Sequence, residues 1–122
     1  MKDDLMYLEH IIDSIEHIEK YIDGIDEIED FTADEKLCDA VVRRLEIIGE
    51  ASNNISVDLK NKHSFVVWRK IIDTRNLLIH GYFGVSYIEV WSIVKQNLPE
   101  LKKQIQEIVN DLNTKNEPRE NN

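Results

Sequence analysis

The residues best suited to chemistry lie in one short stretch, Arg75-Asn76-Leu77-Leu78-Ile79-His80-Gly81-Tyr82. Arg75 stands one or two turns from Trp68, Ile72 and Ile79 in an apolar, helix-forming segment, where an unpaired guanidinium is costly to bury. Two compensations are open. One is a structural ion pair with Asp73, Glu50 or another carboxylate; the other is a phosphate received at a cleft, which the guanidinium fork binds through two parallel hydrogen bonds. His80 closes the segment beside Gly81. An imidazole, with a reference pKa of about 6.5, can act as base or acid near neutrality, or it can simply cap the last carbonyls of a helix. At about 100° per residue, five positions set Arg75 and His80 roughly 140° apart around the axis. Convergence then requires a distorted last turn, or two copies of the helix meeting across a two-fold axis. Tyr82, beyond the glycine, can point its hydroxyl to the same mouth or pack its ring on the helices.

Other chemistry is thinly represented. The sequence has no phosphate-cradling glycine loop, no His-Glu-x-x-His and no Gly-x-Ser-x-Gly. His10 and His17 could line up on one helix face, but two imidazoles without a third ligand make an incomplete metal site. His63 falls in a polar loop and is expected to be exposed. Cys38 is the only cysteine, which excludes an intrachain disulfide and a multi-cysteine metal site and fits a reducing cytosol. No metal and no cofactor is expected.

The elements that must position these groups are helical. Leu5, Leu8, Ile12, Ile15, Ile18, Ile22 and Ile25 recur at spacings of three and four, one face of an amphipathic helix. Gly24 and the acidic stretch Asp26 to Asp30 end or kink it. Thr32 with Glu35 reads as a capping box that opens a second helix to about Asn53, with an inward stripe of Leu37, Val41, Leu45, Ile48 and Ile55. Ser52 to Ser64 has loop composition, with room for a short helical turn. A third helix runs from about Phe65 to a cap at Gly81. Phe65, Val66, Val67, Trp68, Ile71, Ile72, Leu77, Leu78 and Ile79 make it apolar over more than half its circumference, which predicts burial against both the core and a second subunit. Ser86 with Glu89 opens a fourth helix on Trp91, Val94, Leu98, Leu101, Ile105, Ile108 and Leu112, with Pro99 placed to bend it.

A chain of 122 residues, 42% apolar and 32% charged, fits one globular domain. We place that domain at residues 1–112 and a disordered polar tail at 113–122. The expected fold is all-α, an up-and-down antiparallel four-helix bundle that pairs as a homodimer. No apolar run is long enough to span a bilayer, and the first residues, MKDDLMYLEH, are acidic where a signal peptide is basic and then apolar, so no membrane association and a cytoplasmic location are expected. The net charge of −9 argues against coating nucleic acid through bulk charge. The total hides a gradient: residues 1–40 carry −11, residues 41–80 carry +3 and residues 81–122 carry −1. An anion site therefore belongs in the middle third, and the acidic first third reads as a solvated face or a contact for a basic partner.

The stretch from Arg75 to Tyr82 resembles the Arg-x4-His-x-Tyr signature of the HepT-like toxins of the HEPN superfamily, with a polar residue directly after the arginine. Trp68, the Gly49-Glu50-Ala51 step, Trp91 and Leu98-Pro99 look like the same family, and the resemblance covers roughly residues 1–112. It implies a metal-independent endoribonuclease, the toxin of a type VII-like toxin–antitoxin system, homodimeric with an active groove at the dimer interface. It also implies a minimal nucleotidyltransferase antitoxin of the MntA-like kind, assembling with the toxin in a hetero-oligomer and blocking it by transferring AMP to the motif tyrosine. Carried over by residue, Arg75 and His80 would be catalytic on RNA, Asn76 would assist, and Tyr82 would accept AMP. A non-catalytic helical subunit that binds a nucleotidyltransferase, and a purely structural dimerisation module with Arg75 in an interface salt bridge, are the alternatives.

Overall fold

A computed structural model describes residues 2–80 and 86–116, and every regular element among them is helical. The isoleucine-rich stripe forms α1 (Lys2–Tyr21), whose core face is Leu8, Ile11, Ile15 and Ile18, all fully buried. Ile11 takes the central place expected of Ile12, which lies at the edge of the core.

Thr32 does not cap the next long helix. It ends a separate short helix, α2 (Ile28–Thr32), and its hydroxyl donates to the Glu29 carbonyl at 3.4 Å. The cap is Asp34, whose Oδ1 accepts from the Leu37 N–H at 3.1 Å and starts α3 (Glu35–Asn54). Phe31 is the reason for the extra element: its fully buried ring stacks on Trp91 with centroids 5.0 Å apart, and a short helix carries it into the core before the chain turns back.

α3 is the central helix, packed along α1 on one side and α5 (Trp68–His80) on the other. Val41, Leu45 and Ile48 are buried as the stripe predicts, joined by Cys38 and Ala51, while Leu37 is only partly covered. The Cys38 Sγ donates to the Phe31 carbonyl at 3.2 Å. Burial, with Asp34, Asp39 and Glu35 adding to it, pushes this thiol up to about 11, so it is no nucleophile at neutral pH.

The polar segment after α3 contains a true helix, α4 (Val57–Lys62), capped by Ser56, whose Oγ accepts from the Leu59 N–H. Asp4 of α1 holds this cap in place. Its carboxylate, buried to 3% exposure, accepts from the Ser56 N–H at 2.8 Å and the Ser56 hydroxyl at 2.6 Å. His63 is not a free loop residue: it ends α4, its ring meets Phe65 edge-on, and its carbonyl accepts from the Trp68 indole N–H at 3.1 Å. That bond, with Val66 and Trp68 buried, sets the start of α5 at Trp68 rather than Phe65.

Ser86 caps α6 (Tyr87–Ser92), which passes through a π-helical turn at Ile93–Asn97 into α7 (Leu98–Asn116). The predicted bend at Pro99 takes this form. Proline has no N–H to give the carbonyl four residues back, and its ring crowds that carbonyl. The chain widens by one residue, so that the Leu98 N–H reaches the Ile93 carbonyl. α7 packs along α1, burying Leu98, Leu101, Ile105 and Ile108. It is helical through Asn116, so residues 113–116 do not belong to the tail expected at 113; residues 117–122 lie outside the described residues. No helix among the described residues is long and apolar enough to cross a membrane.

Removing the Asp4 carboxylate strands two Ser56 donors in a partly buried site, at a cost of about 1–3 kcal/mol. Asp4→Ala is expected to lower the urea midpoint with the slope unchanged; a midpoint equal to that of the parent refutes the clamp.

Candidate functional site

The predicted site residues all derive from α5 and the segment that follows it. α5 buries Trp68 and Leu78 and half-buries Ile71, Ile72 and Arg75 on the side that faces α3. Arg75 is therefore on the inner half of the helix, as its apolar neighbours in sequence suggest.

What admits a guanidinium there is the absence of a side chain opposite it. Gly49 of α3 is buried, and a Cβ built on it would overlap the Arg75 Cβ and stand 2.7 Å from the Arg75 Cγ and 3.3 Å from its Cα. The arginine stem thus lies directly on the α3 backbone. Burial reaches along the side chain as far as Nε, and the residue as a whole is half-buried.

The ion pair with Asp73 or Glu50 is not formed. Asp73 bonds Arg69 instead, with Nε to Oδ1 at 3.6 Å, and no carboxylate among the described residues lies within ion-pair distance of Arg75. Nη1 of Arg75 donates to the Asn76 Oδ1 at 2.8 Å. Nε of Arg75 is buried with no acceptor among the described residues. An unmet donor on a charged group is worth more than a kcal/mol of lost hydrogen bonding, about 1–3 for a neutral one. The site therefore holds a positioned, un-neutralised cation with spare donor capacity, the arrangement that suits a phosphate or carboxylate oxygen.

α5 is an α-helix through His80. Arg75 and position 80 are thus not drawn to one face by a distorted last turn. The His80 side chain, the cap at Gly81 and Tyr82 lie outside the described residues. Arg75 and Asn76 are brought together; the rest of the motif follows them along the chain.

The second apolar surface predicted for this segment is present. Phe65, Val67, Leu77 and Ile79 are 50%, 61%, 54% and 36% exposed. His10 is exposed, His17 hydrogen-bonds the Asp13 carbonyl through Nδ1 at 2.8 Å, and no group of three or more His, Cys, Asp or Glu side chains placed to hold a metal occurs among the described residues.

Sequence reasoning alone missed the physical role of Gly49. The signal was a glycine in mid-helix, at a cost of about 1 kcal/mol relative to alanine, which asks for a close approach.

These features coincide with a known family. The HepT-like ribonuclease model, described as "Ribonuclease HepT-like", matches residues 11–108, and the chain belongs to that family. It is 45% identical over 109 residues to a protein of Caldanaerobacter subterraneus subsp. tengcongensis named "Putative RNase", covering 89% of this chain and 96% of that one. It is also 45% identical over 102 residues to the "Probable ribonuclease HepT" of Thermococcus cleftensis, covering 84% and 92%. No solved structure matches it.

The helix contact yields a sharp test. Gly49→Ala is expected to destabilise the protein by about 1–3 kcal/mol through overpacking, read as a fall in melting temperature. The loss is expected to persist in an Arg75→Ala background, because alanine keeps the Cβ that Gly49 accommodates. Full recovery of stability in that double variant would show that the arginine's outer atoms, not the spacing of α3 and α5, impose the glycine.

Proposed function

We propose that this protein is the endoribonuclease toxin of a toxin–antitoxin pair and cuts RNA without a metal ion, in a groove formed where two copies of α5 meet. The observation that carries the reading is Arg75: a guanidinium seated on Gly49, unpaired with any described carboxylate, with a buried Nε to offer. The exposed apolar side chains of α5 support the pairing of two copies. The wheel positions of Arg75 and His80 support it as well, since a second copy supplies the missing imidazole to each arginine.

RNA carries its own nucleophile. His80 of one copy takes the proton of the 2′-hydroxyl, the 2′-oxygen bonds to phosphorus, and the bond from phosphorus to the 5′-oxygen breaks. His80 of the second copy returns a proton to the departing 5′-oxygen. The products are a 2′,3′-cyclic phosphate and a free 5′-hydroxyl. Arg75 grips the non-bridging oxygens and stabilises the charge that builds on them. Asn76, bonded to Nη1, fixes the plane of the guanidinium.

Tyr82, two residues beyond His80, is the acceptor for AMP from the cognate nucleotidyltransferase. A tyrosyl-AMP at the mouth adds bulk and negative charge where RNA must enter, which accounts for neutralisation. The reading places the protein in the cytoplasm beside its RNA substrate.

The reading is tested with labelled RNA in EDTA. The parent is expected to cleave, His80→Ala to lose about 10²–10⁴-fold as a general acid–base group does, and Arg75→Ala to lose at least as much, with both variants folded. Undiminished cleavage by His80→Ala refutes the mechanism; a folded parent that leaves RNA intact favours the non-catalytic binding subunit, toward which the net charge of −9 leans. Co-expression with a minimal nucleotidyltransferase of the MntA-like kind is expected to raise the intact mass by whole AMP units that disappear in Tyr82→Phe.

A further inference from the structure

The acidic first third of the chain is the feature that the proposed chemistry leaves unused. Most of its carboxylates have a reason in the fold. Glu29 and Asp30 stand in the first turn of α2, Asp34 caps α3 and Glu35 opens it, where the free N–H groups of a helix start favour negative charge. Asp13 pairs with Arg44, and Glu16 and Glu19 pair with Lys102. Asp23 and Asp26 have no such reason. They follow the C-terminal end of α1, whose last carbonyls already carry partial negative charge and whose last turn offers one cation, Lys20. Both are exposed, and neither carboxylate has a hydrogen-bond or ion-pair partner among the described residues.

These two carboxylates stand on the rim of an apolar groove of about 320 Å³ between the end of α1 and the π-helical turn. Ile18, Ile22 and Ile25 form one side of it, Val94 and Leu98 the other. Ile22 and Ile25 are only partly covered by the core. Gly24, at φ 83°, turns the chain around the helix end, and no atom lies within 4 Å of where its side chain would begin. The charged lining is Glu19, Asp23 and Asp26 against one cation, Lys95. Glu19 is engaged by Lys102 at 2.9 Å, and the Lys95 ammonium lies 5.2 Å from the centroid of the Trp91 ring. What is left is an apolar floor with two unpaired anions on its edge. Asp23 also borders the neighbouring depression along α1, beside Asp13, Glu16 and Glu19, so the negative field extends past the groove.

Such a groove selects an occupant that is apolar in the middle and positive at its edges. Nucleic acid and an anionic membrane surface are repelled by it. A metal ion has no seat there, since no group of three or more His, Cys, Asp or Glu side chains placed to hold one occurs among the described residues. A polyamine matches the charge but leaves the isoleucine floor in water. A protein segment with lysine or arginine beside an aliphatic side chain satisfies both.

We propose that this groove docks a cationic segment of a partner protein, which lays an apolar side chain on Ile22 and Ile25 and sets lysine or arginine against Asp23 and Asp26. None of the lining comes from α5. The inference therefore goes beyond the ribonuclease reading and does not rest on it.

The test uses the full-length protein and a fluorescein-labelled amphipathic peptide built from leucine and lysine, followed by anisotropy across a salt series. The parent is expected to bind it, with amide NMR shifts centred on Ile22, Gly24, Ile25 and Val94. Serine in place of the peptide's leucines is expected to weaken binding by about tenfold or more, and glutamate in place of its lysines to abolish it. Asp23→Ser and Asp26→Ser are each expected to weaken binding about two- to fivefold, the worth of an exposed ion pair, and to flatten its salt dependence. Glu107→Gln, the same loss of charge at an exposed position of α7 outside the groove, is expected to bind as the parent does.

A serine peptide that binds as tightly as the leucine peptide, or spermine that displaces the leucine peptide at equal concentration, shows charge attraction alone and refutes the docking site. It is equally refuted by a parent that does not bind, by shifts centred outside the groove, by aspartate variants that bind as the parent does, or by a Glu107→Gln variant that loses as much as they do. Both aspartate variants are expected to cleave RNA at the parent's rate, so each of these outcomes leaves the ribonuclease reading to its own test.

Discussion

The structure depends on how closely α3 and α5 approach. Two helices meet at that distance only where one of them lacks a side chain, and Gly49 supplies the gap opposite the Arg75 stem. Every other property of the site follows from this. The arginine is held by its methylenes rather than by a carboxylate, so its charge is free for a ligand. Its direction is set by backbone packing, which does not weaken with salt as an exposed ion pair would.

The distribution of charge is organised around the same helix pair. Of the two carboxylates the sequence offers Arg75, Asp73 is paired with Arg69 and Glu50 is exposed; other described carboxylates pair with other cations, Glu46 with Arg43, Asp13 with Arg44, and Glu16 and Glu19 with Lys102. The acidic excess of the first third is spread from α1 through α2 to the start of α3, while five of the middle third's seven cations stand on α4 and α5 and two, Arg43 and Arg44, on α3. A protein with an overall negative charge can therefore carry a locally positive surface, because the field of exposed charges is screened within about 10 Å at ordinary salt.

Much of this was legible in the sequence, for identifiable reasons. α1, α3 and α7 follow from the spacing of their apolar residues, because a long helix with one dry face can place them in few ways. A cation among tryptophan and isoleucine marks Arg75 because burying charge is costly. Other features depended on tertiary facts. Thr32 is as good a cap as Asp34 on local chemistry; the demand to bury Phe31 against Trp91 decides between them. α4 is too short to announce itself by periodicity, and the bond that secures it comes from Asp4, 52 positions away. Gly49 reads as an ordinary helix blemish until its opposite number is known. The partner of a buried charge is likewise a matter of which side chains fold together, and neither Glu50 nor Asp73 took that place.

The π-helical turn at Ile93–Asn97 ties the length of the last helix to its composition. The five-residue turn gives the Pro99 ring its room, and Pro99 in turn removes the N–H that would draw the turn tight, so each is the condition of the other. The turn takes up its extra residue locally, and the Leu101, Ile105 and Ile108 row that mates with α1 follows directly after it. Deleting one residue between Ile93 and Asn97 would close the turn to an ordinary α-helical one and set the Pro99 ring against the carbonyl four residues back, whereas substitutions at the exposed Lys95, Gln96 and Asn97 leave the turn's count intact. In this stretch the chain tolerates changes of letter far more readily than changes of count.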